Sequence, residues 1–492
     1  MASRLVAALI PPHRVLATLK SWTAPVAARA RWAGSMVLAG LVFAACGEPN
    51  GGPSAGGAAA GLGAGAKAPR GHWYKSQDAG AIDERAEAAR ALESIGYASG
   101  MEEGSSRFGV LAHDATRAQP GLNLYVSGHG AEARLVEMDG TLVHRWERSP
   151  LTIWPERADL GFGYFRKARL LDDGGILAIF EGKGLVCLDR DSNVRWSYDG
   201  PAHHDVGVLP DGRVFSLDRE ARIFASIDPE RLLLDDRITI FSPEGEVLQQ
   251  VSLMGALMRS PFAERTRSYI RTKIDEIVAL RAKTRERYAE EIARDPALLE
   301  RFRFTGDVFH TNSVRVVSEE VAAAIDGLEA GWFLLSVREM NALIALEIEG
   351  DGAIARWYLD GSWQMQHEAV PLPTGRILLF DNQGGRRSGV RGRSRVVEVE
   401  PRDGAIAWEY AGAGARGLNS PVGGSCQRLA NGNTLVIEST AGRAVEVTAE
   451  GAVVWEFVSP HRAGEDEELI AFLPDVVRVE RSTVERWLAR GR

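Results

Sequence analysis

The sequence predicts an all-β fold, a six-bladed β-propeller, and three features of the chain predict it. From residue 120 onward one pattern recurs with a period of roughly 45 to 60 residues, the spacing of propeller blades. Five of the six periods contain a turn followed by a strand ending in an aromatic: Asp139-Gly-Thr-Leu-Val-His-Arg-Trp146, Asp191-Ser-Asn-Val-Arg-Trp196, Asp351-Gly-Ala-Ile-Ala-Arg-Trp357, Asp403-Gly-Ala-Ile-Ala-Trp408 and Glu450-Gly-Ala-Val-Val-Trp455. The second signature is a Leu-x-x-Gly turn between two apolar runs, at Leu171–Gly174, Leu209–Gly212, Leu372–Gly375 and Leu429–Gly432, which reads as the hairpin joining two inner strands.

Together these place blades near 120–148, 166–199, 204–250, 308–360, 367–411 and 425–458. Radially arranged short sheets bury both faces against their neighbours, which accounts for the Val, Ile, Leu and Trp content without a helical core. At 492 residues, 45% hydrophobic and 25% charged, the chain is an ordinary globular sequence. A net charge of −8 and the lack of a long basic run argue against nucleic-acid binding. An anionic substrate would have to be drawn by local cations.

Ahead of the blades, basic residues up to Arg31 precede the apolar run Met36–Ala45 and then Cys46, the order of an export signal. The run is shorter than the about 20 residues of a membrane-spanning helix. Small residues lead into the cysteine, so residues 1–46 resemble a bacterial lipoprotein signal in which Cys46 is acylated and anchors the protein to a membrane at the periplasmic face. Residues 47–72 are a Gly/Ala-rich tether. Residues 73–119 form a lead-in with a short helix at 76–98, and residues 261–303 carry helical spacing of Ile270, Ile274, Ile277, Val278 and Leu280, predicting an inserted helical hairpin between blades three and four. It is either a wall at one end of the channel or a solvated surface element. The tail, 461–492, is a closing or capping segment. Cys187 and Cys426 sit in apolar strand contexts and read as buried thiols.

Equivalent positions of the innermost strands point at one axial region. His204 and His367 share the same eight-residue offset to their turn glycines, Gly212 and Gly375, and each is followed by an acid. His310 precedes the first strand of blade four by a similar margin. One such histidine reads as a structural hydrogen-bonding group, whereas three at matching positions read as a site. Asn312 lies two residues past His310, Arg338 ends the apolar strand after Trp332, and Arg166 occupies the matching position of blade two. Three imidazoles near Asp205 and Glu368 are a conceivable metal set, but an adjacent arginine is a poor neighbour for a cation and no HxH pair is present. The reading favoured is an anion pocket with one histidine free to act as nucleophile or base, without metal or cofactor.

The segments Asp307-Val-Phe-His-Thr-Asn-Ser313, Leu335-Ser-Val-Arg338, Gln366-His-Glu368 with Leu372 to Asn382, and Gln427 to Leu435 resemble the bacterial arylsulfate sulfotransferases over roughly residues 120–460. That resemblance implies a six-bladed propeller that moves a sulfuryl group from an aryl sulfate to a phenolic acceptor, with no nucleotide donor and no cofactor. It implies that His367 is the transiently sulfated residue, that His310, Asn312 and Arg338 surround the sulfate, and that the His203–His204 pair supplies a further histidine, His204 being favoured by spacing. Well-studied members carry a sizeable amino-terminal β domain, whereas only about 50 residues separate tether and first blade here; access and oligomerisation are left open. The competing readings are a non-catalytic exported binding or scaffold propeller and an aryl sulfate hydrolase.

Overall fold

A computed structural model describes residues 102–489 apart from 158–162, 288, 295–305, 385–393, 414–416 and 465–466. The signal, Cys46, the tether and the helix expected at 76–98 lie outside the described residues. Six four-stranded antiparallel units are present, five as separate sheets and one extended by a fifth strand. The innermost strands are Asp475–Val479 in blade 1, Phe165–Leu170 in blade 2, His203–Val208 in blade 3, Thr311–Val316 in blade 4, His367–Pro371 in blade 5 and Ser425–Arg428 in blade 6. Each touches the next around the axis and the last touches the first, so the ring is closed.

Closure differs from a simple reading of the repeats. Blade 1 takes its innermost strand from Asp475–Val479, which pairs with Leu122–Val126, so the chain end completes the first blade. Gly109–His113, within the segment expected to lead in as a helix, is instead a fifth, outer strand of blade 6, paired with Val453–Val458. Fastening the strand ahead of blade 1 and the strand near the carboxyl terminus into opposite edges of adjacent blades removes the open seam that a linear array of sheets leaves. Arg478 reinforces the junction: its backbone N–H donates to Gln427 Oε1 at 2.8 Å and its guanidinium lies 3.0 Å from Glu446.

Both repeated motifs have physical causes. At Gly174, Gly212, Gly375 and Gly432 the glycine φ is 86°, 88°, 87° and 88°, and each N–H donates to the leucine carbonyl three residues earlier. A left-handed residue after a tight turn is cheap only for glycine, which fixes the motif. The terminal tryptophans staple blades together. Trp146 donates from Nε1 to Gly174 O in blade 2, Trp196 to Pro243 O in blade 3, Trp408 to Ala449 O in blade 6 and Trp455 to Met138 O in blade 1, at 2.8 to 3.0 Å. Between blades the apolar faces interdigitate, as where Leu177, Ile179 and Leu185 meet Val206, Val214 and Phe241.

The insertion between blades 3 and 4 is a helix over Ala263–Arg287 followed by Ala289–Arg294. Ile270 and Ile274 are buried in the core cluster that contains Val308 and Phe309, and Tyr269 Oη donates to Val308 O at 3.0 Å. Val278 and Leu280 are exposed, so only the first turns pack and the apolar spacing does not translate into a continuous buried stripe. The helix stands beside the segment that enters blade 4, next to His310.

Candidate active site

The inner strands do not alternate regularly where they reach the histidines. Register shifts fall between the partners of Phe165 and Lys167, His203 and Val206, Thr311 and Ser313, and His367 and Val370. His204, His310 and Glu368 adopt φ of 55°, 49° and 50°, the left-handed region that non-glycine residues seldom enter. Such bulges re-aim side chains that a regular pleat would send into the blade. His203 holds the ladder position opposite Leu217, and the bulge swings His204 toward the axis. Asn312 likewise sits in a bulge, not at a regular two-residue step from His310.

The result is a cluster of three rings. His204 lies 5.2 Å from His310 and 6.4 Å from His367, centroid to centroid. Each ring is anchored through Nδ1, and each Nε2 is buried without a hydrogen bond. His310 Nδ1 is 2.6 Å from Asp307 Oδ2. His204 Nδ1 is 3.1 Å from Glu181 Oε1 and 3.0 Å from His203 Nδ1. His367 Nδ1 is 2.7 Å from Asn382 Oδ1 and 3.1 Å from Met365 O. Three nitrogen lone pairs or N–H groups thus remain for a ligand.

Arg338 and Arg166 supply the positive charge. Burial first, then the Arg338 guanidinium, holds the His367 imidazole well below its ordinary pKa, and a hydrogen bond to Asn382 opposes them. His204 is likewise pushed down, by burial and then by Arg166. Both rings are therefore neutral near pH 7. Arg338 is mostly buried and has Glu339 at 3.4 Å, which Lys273 of the insert helix also pairs at 2.6 Å. Arg166 lies 3.6 Å from Glu181 and over the Phe472 ring. Asn312 donates from Nδ2 to Gln366 O at 2.7 Å, and its Oδ1 is buried without a hydrogen bond. His203 is fully buried behind His204, with Nε2 3.2 Å from Asp218 O, and so supports the cluster from behind.

Sequence reasoning did not single out Asn382, Asp307 or Glu181 as partners. The signals were short-range: Asp307 is one helical-turn step before His310, and Asn382 ends the strand that pairs with His367. Asp205 and Glu368, which the sequence places beside the histidines and which were weighed there as part of a metal set and set aside, do not join the three rings. They belong instead to a buried ionic ring one residue deeper in the channel. Lys167 Nζ lies 3.0 Å from Glu368, 3.2 Å from Asp475 and 3.8 Å from Asp205, while Arg315 pairs with both Asp205 and Glu368 and Ser425 donates to Asp475 at 2.8 Å. All six blades contribute to this layer.

Elsewhere among the described residues His129, Glu132 and His461 come within metal-ligand spacing. Arg134 and Arg145 already neutralise Glu132, and the two imidazoles are stacked 3.4 Å apart at 6°, so no ion can lie in both ring planes.

The architecture defines a six-bladed propeller whose axis gathers three imidazoles beside two arginines. The family model described as arylsulfotransferase (ASST) matches residues 167–460, and the chain belongs to that family. No curated protein matches it. Similar solved structures include a protein of unknown function from Bacteroides caccae (12% identity, TM-score 0.43, covering 73% of this chain and 98% of that one). They also include a streptogramin B lyase (9%, 0.39, 77% and 97%) and the virginiamycin B lyase of Staphylococcus aureus (11%, 0.32, 60% and 69%).

Proposed function

We propose that the protein transfers a sulfuryl group from an aryl sulfate ester to a phenolic acceptor by way of an N-sulfohistidine at His367. One observation carries this reading: His367 presents a buried Nε2 free of hydrogen bonds, in a neutral ring, beside Arg338 and within reach of two other imidazoles. Sulfotransferase chemistry follows at the level of the family.

The Nε2 lone pair attacks sulfur as the bond to the aryl oxygen breaks, and the departing oxygen takes its electron pair. His310, backed by Asp307, gives that oxygen a proton; its Nε2 is the free end of the dyad. Arg338 and the Asn312 amide hold the non-bridging oxygens, each well-aimed donor being worth about 3 kcal/mol in comparable sites. A phenol then replaces the first product. His204 or His310 accepts its proton, its oxygen attacks sulfur, and the S–N electrons return to Nε2. The histidine itself carries the group, so no metal or cofactor takes part. We further propose that the protein is exported and held to the membrane by an acylated Cys46, a reading motivated by the leader sequence. Cys46→Ala leaving the protein in the membrane fraction contradicts it.

The test is p-nitrophenyl sulfate with and without a phenol. Nitrophenol release that depends on acceptor, survives chelation and is abolished in His367→Asn is expected. Free sulfate in place of a sulfated phenol converts the reading to a hydrolase, and tight aryl sulfate binding without turnover to a binding module.

A further inference from the structure

Two of the three ring-anchoring partners at the site are carboxylates, Glu181 behind His204 and Asp307 behind His310, whereas the partner behind His367 is the neutral amide of Asn382. That amide is not free to rotate. Its Nδ2 donates to Ser420 O at 2.7 Å and also to Gly423 O, both in the segment that leads into blade 6. Two carbonyls can be faced only by the amino side of the group, so the side turned to His367 is the oxygen. An oxygen acceptor at 2.7 Å requires a hydrogen on His367 Nδ1, which leaves the lone pair on Nε2.

We propose that Asn382 is the positioning residue that fixes His367 in the Nδ1–H tautomer, with its Nε2 lone pair in the cavity. This rests on the reading of His367 as nucleophile. A carboxylate at the same place would favour the imidazolium, which has no lone pair on Nε2 to attack sulfur. After transfer, the ring bears the sulfuryl group on Nε2 and keeps its Nδ1 hydrogen. A neutral acceptor stabilises the positively charged ring of that zwitterionic intermediate less than an anion does, so the group remains ready to leave. The charged and titratable groups facing His367 are Arg338 and His310 from blade 4, Arg166 from blade 2 and His204 from blade 3. None of these is an anion, so Asn382→Asp would set a carboxylate against a ring that otherwise faces guanidiniums and imidazoles.

The test has two arms. In the full-length protein with labelled histidine nitrogens, assigned by His367→Asn, nitrogen NMR at neutral pH is expected to show a protonated Nδ1 and an unprotonated Nε2; a protonated Nε2 overturns the proposal without any variant having to fold. In kinetics, Asn382→Ala lowers kcat by about 10- to 100-fold with KM little changed, and Asn382→Asp moves the acidic limb of the pH profile toward neutral. Unchanged kcat in Asn382→Ala, or an unmoved limb in Asn382→Asp, also overturns it. If the wild type turns over no aryl sulfate while the Nδ1–H tautomer is present, the sulfotransfer reading fails and the positioning by Asn382 stands.

Discussion

Asp307 Oδ2 stands 2.6 Å from His310 Nδ1, and the fully buried Arg219 lies 3.4 Å from the same oxygen. Burial would raise the carboxyl, yet Arg219 and His310 together hold it far below the usual carboxylate range, so it stays ionised wherever the protein is folded. An ionised carboxylate accepting from His310 Nδ1 orients the ring and leaves Nε2 as the end that, in the proposed mechanism, hands a proton to the departing oxygen. Asp307→Asn is expected to reduce kcat by about 10- to 100-fold. The loss should deepen as the leaving phenol becomes more basic, read from rates across substituted aryl sulfates. An equal loss for all donors would remove His310 from that role.

Arg338, which the proposed mechanism sets against the oxyanion, also disfavours protonation of His367. Arg338→Ala therefore carries two signatures. Turnover falls by about 100-fold or more, the effect of losing one aimed donor, and the acidic limb of the profile moves up, because removing a neighbouring cation makes the ring easier to protonate. A limb that stays in place separates Arg338 from His367.

The ionic ring below the histidines is a structural plug. Burial draws the Lys167 ammonium down to about 8, while Asp475 and Asp205 resist the fall. Removing it leaves buried carboxylates under-compensated, and Lys167→Met is expected to destabilise the fold by roughly 3 kcal/mol or more in denaturant titration. A loss under about 1 kcal/mol would show that Arg315, with Arg169 3.4 Å from Asp205, suffices.

Much of this was legible in the sequence. The Leu-x-x-Gly and Asp-Gly…Trp motifs marked the hairpins of each blade because left-handed glycines and inter-blade indole bonds leave few alternatives. His204, His310 and His367 meet at one place, as their offsets implied. What stayed hidden depends on the third dimension. The bulges that swing His204 inward break the two-residue period on which strand reasoning rests. Asn382 faces His367 only through strand pairing, and Asp475, more than a hundred residues past Glu368, joins its ionic ring only because the chain end closes blade 1.

Acid should unfold the protein through these same histidines. His203, His204 and His367 are buried and neutral, each held well below the ordinary value of 6.5, first of all by burial, and His461 is pushed down to about 3. Their pKa values are lower folded than unfolded, so the unfolded chain takes up protons first. The stability they contribute is fully present above about pH 6.5 and is lost as pH falls below it. Thermal melting should drop steadily from about pH 6.5 toward pH 4; a flat Tm over that window contradicts the assignment of neutral rings.

The central claim is that His367 Nε2 carries the sulfuryl group. Mixing the protein with an aryl sulfate in the absence of acceptor, quenching in alkali and mapping peptides by mass spectrometry tests it directly. One added sulfuryl group is expected on the peptide containing His367, lost when a phenol is supplied before quenching. A sulfuryl group on another residue, or turnover to acceptor with His367 never modified, would contradict it.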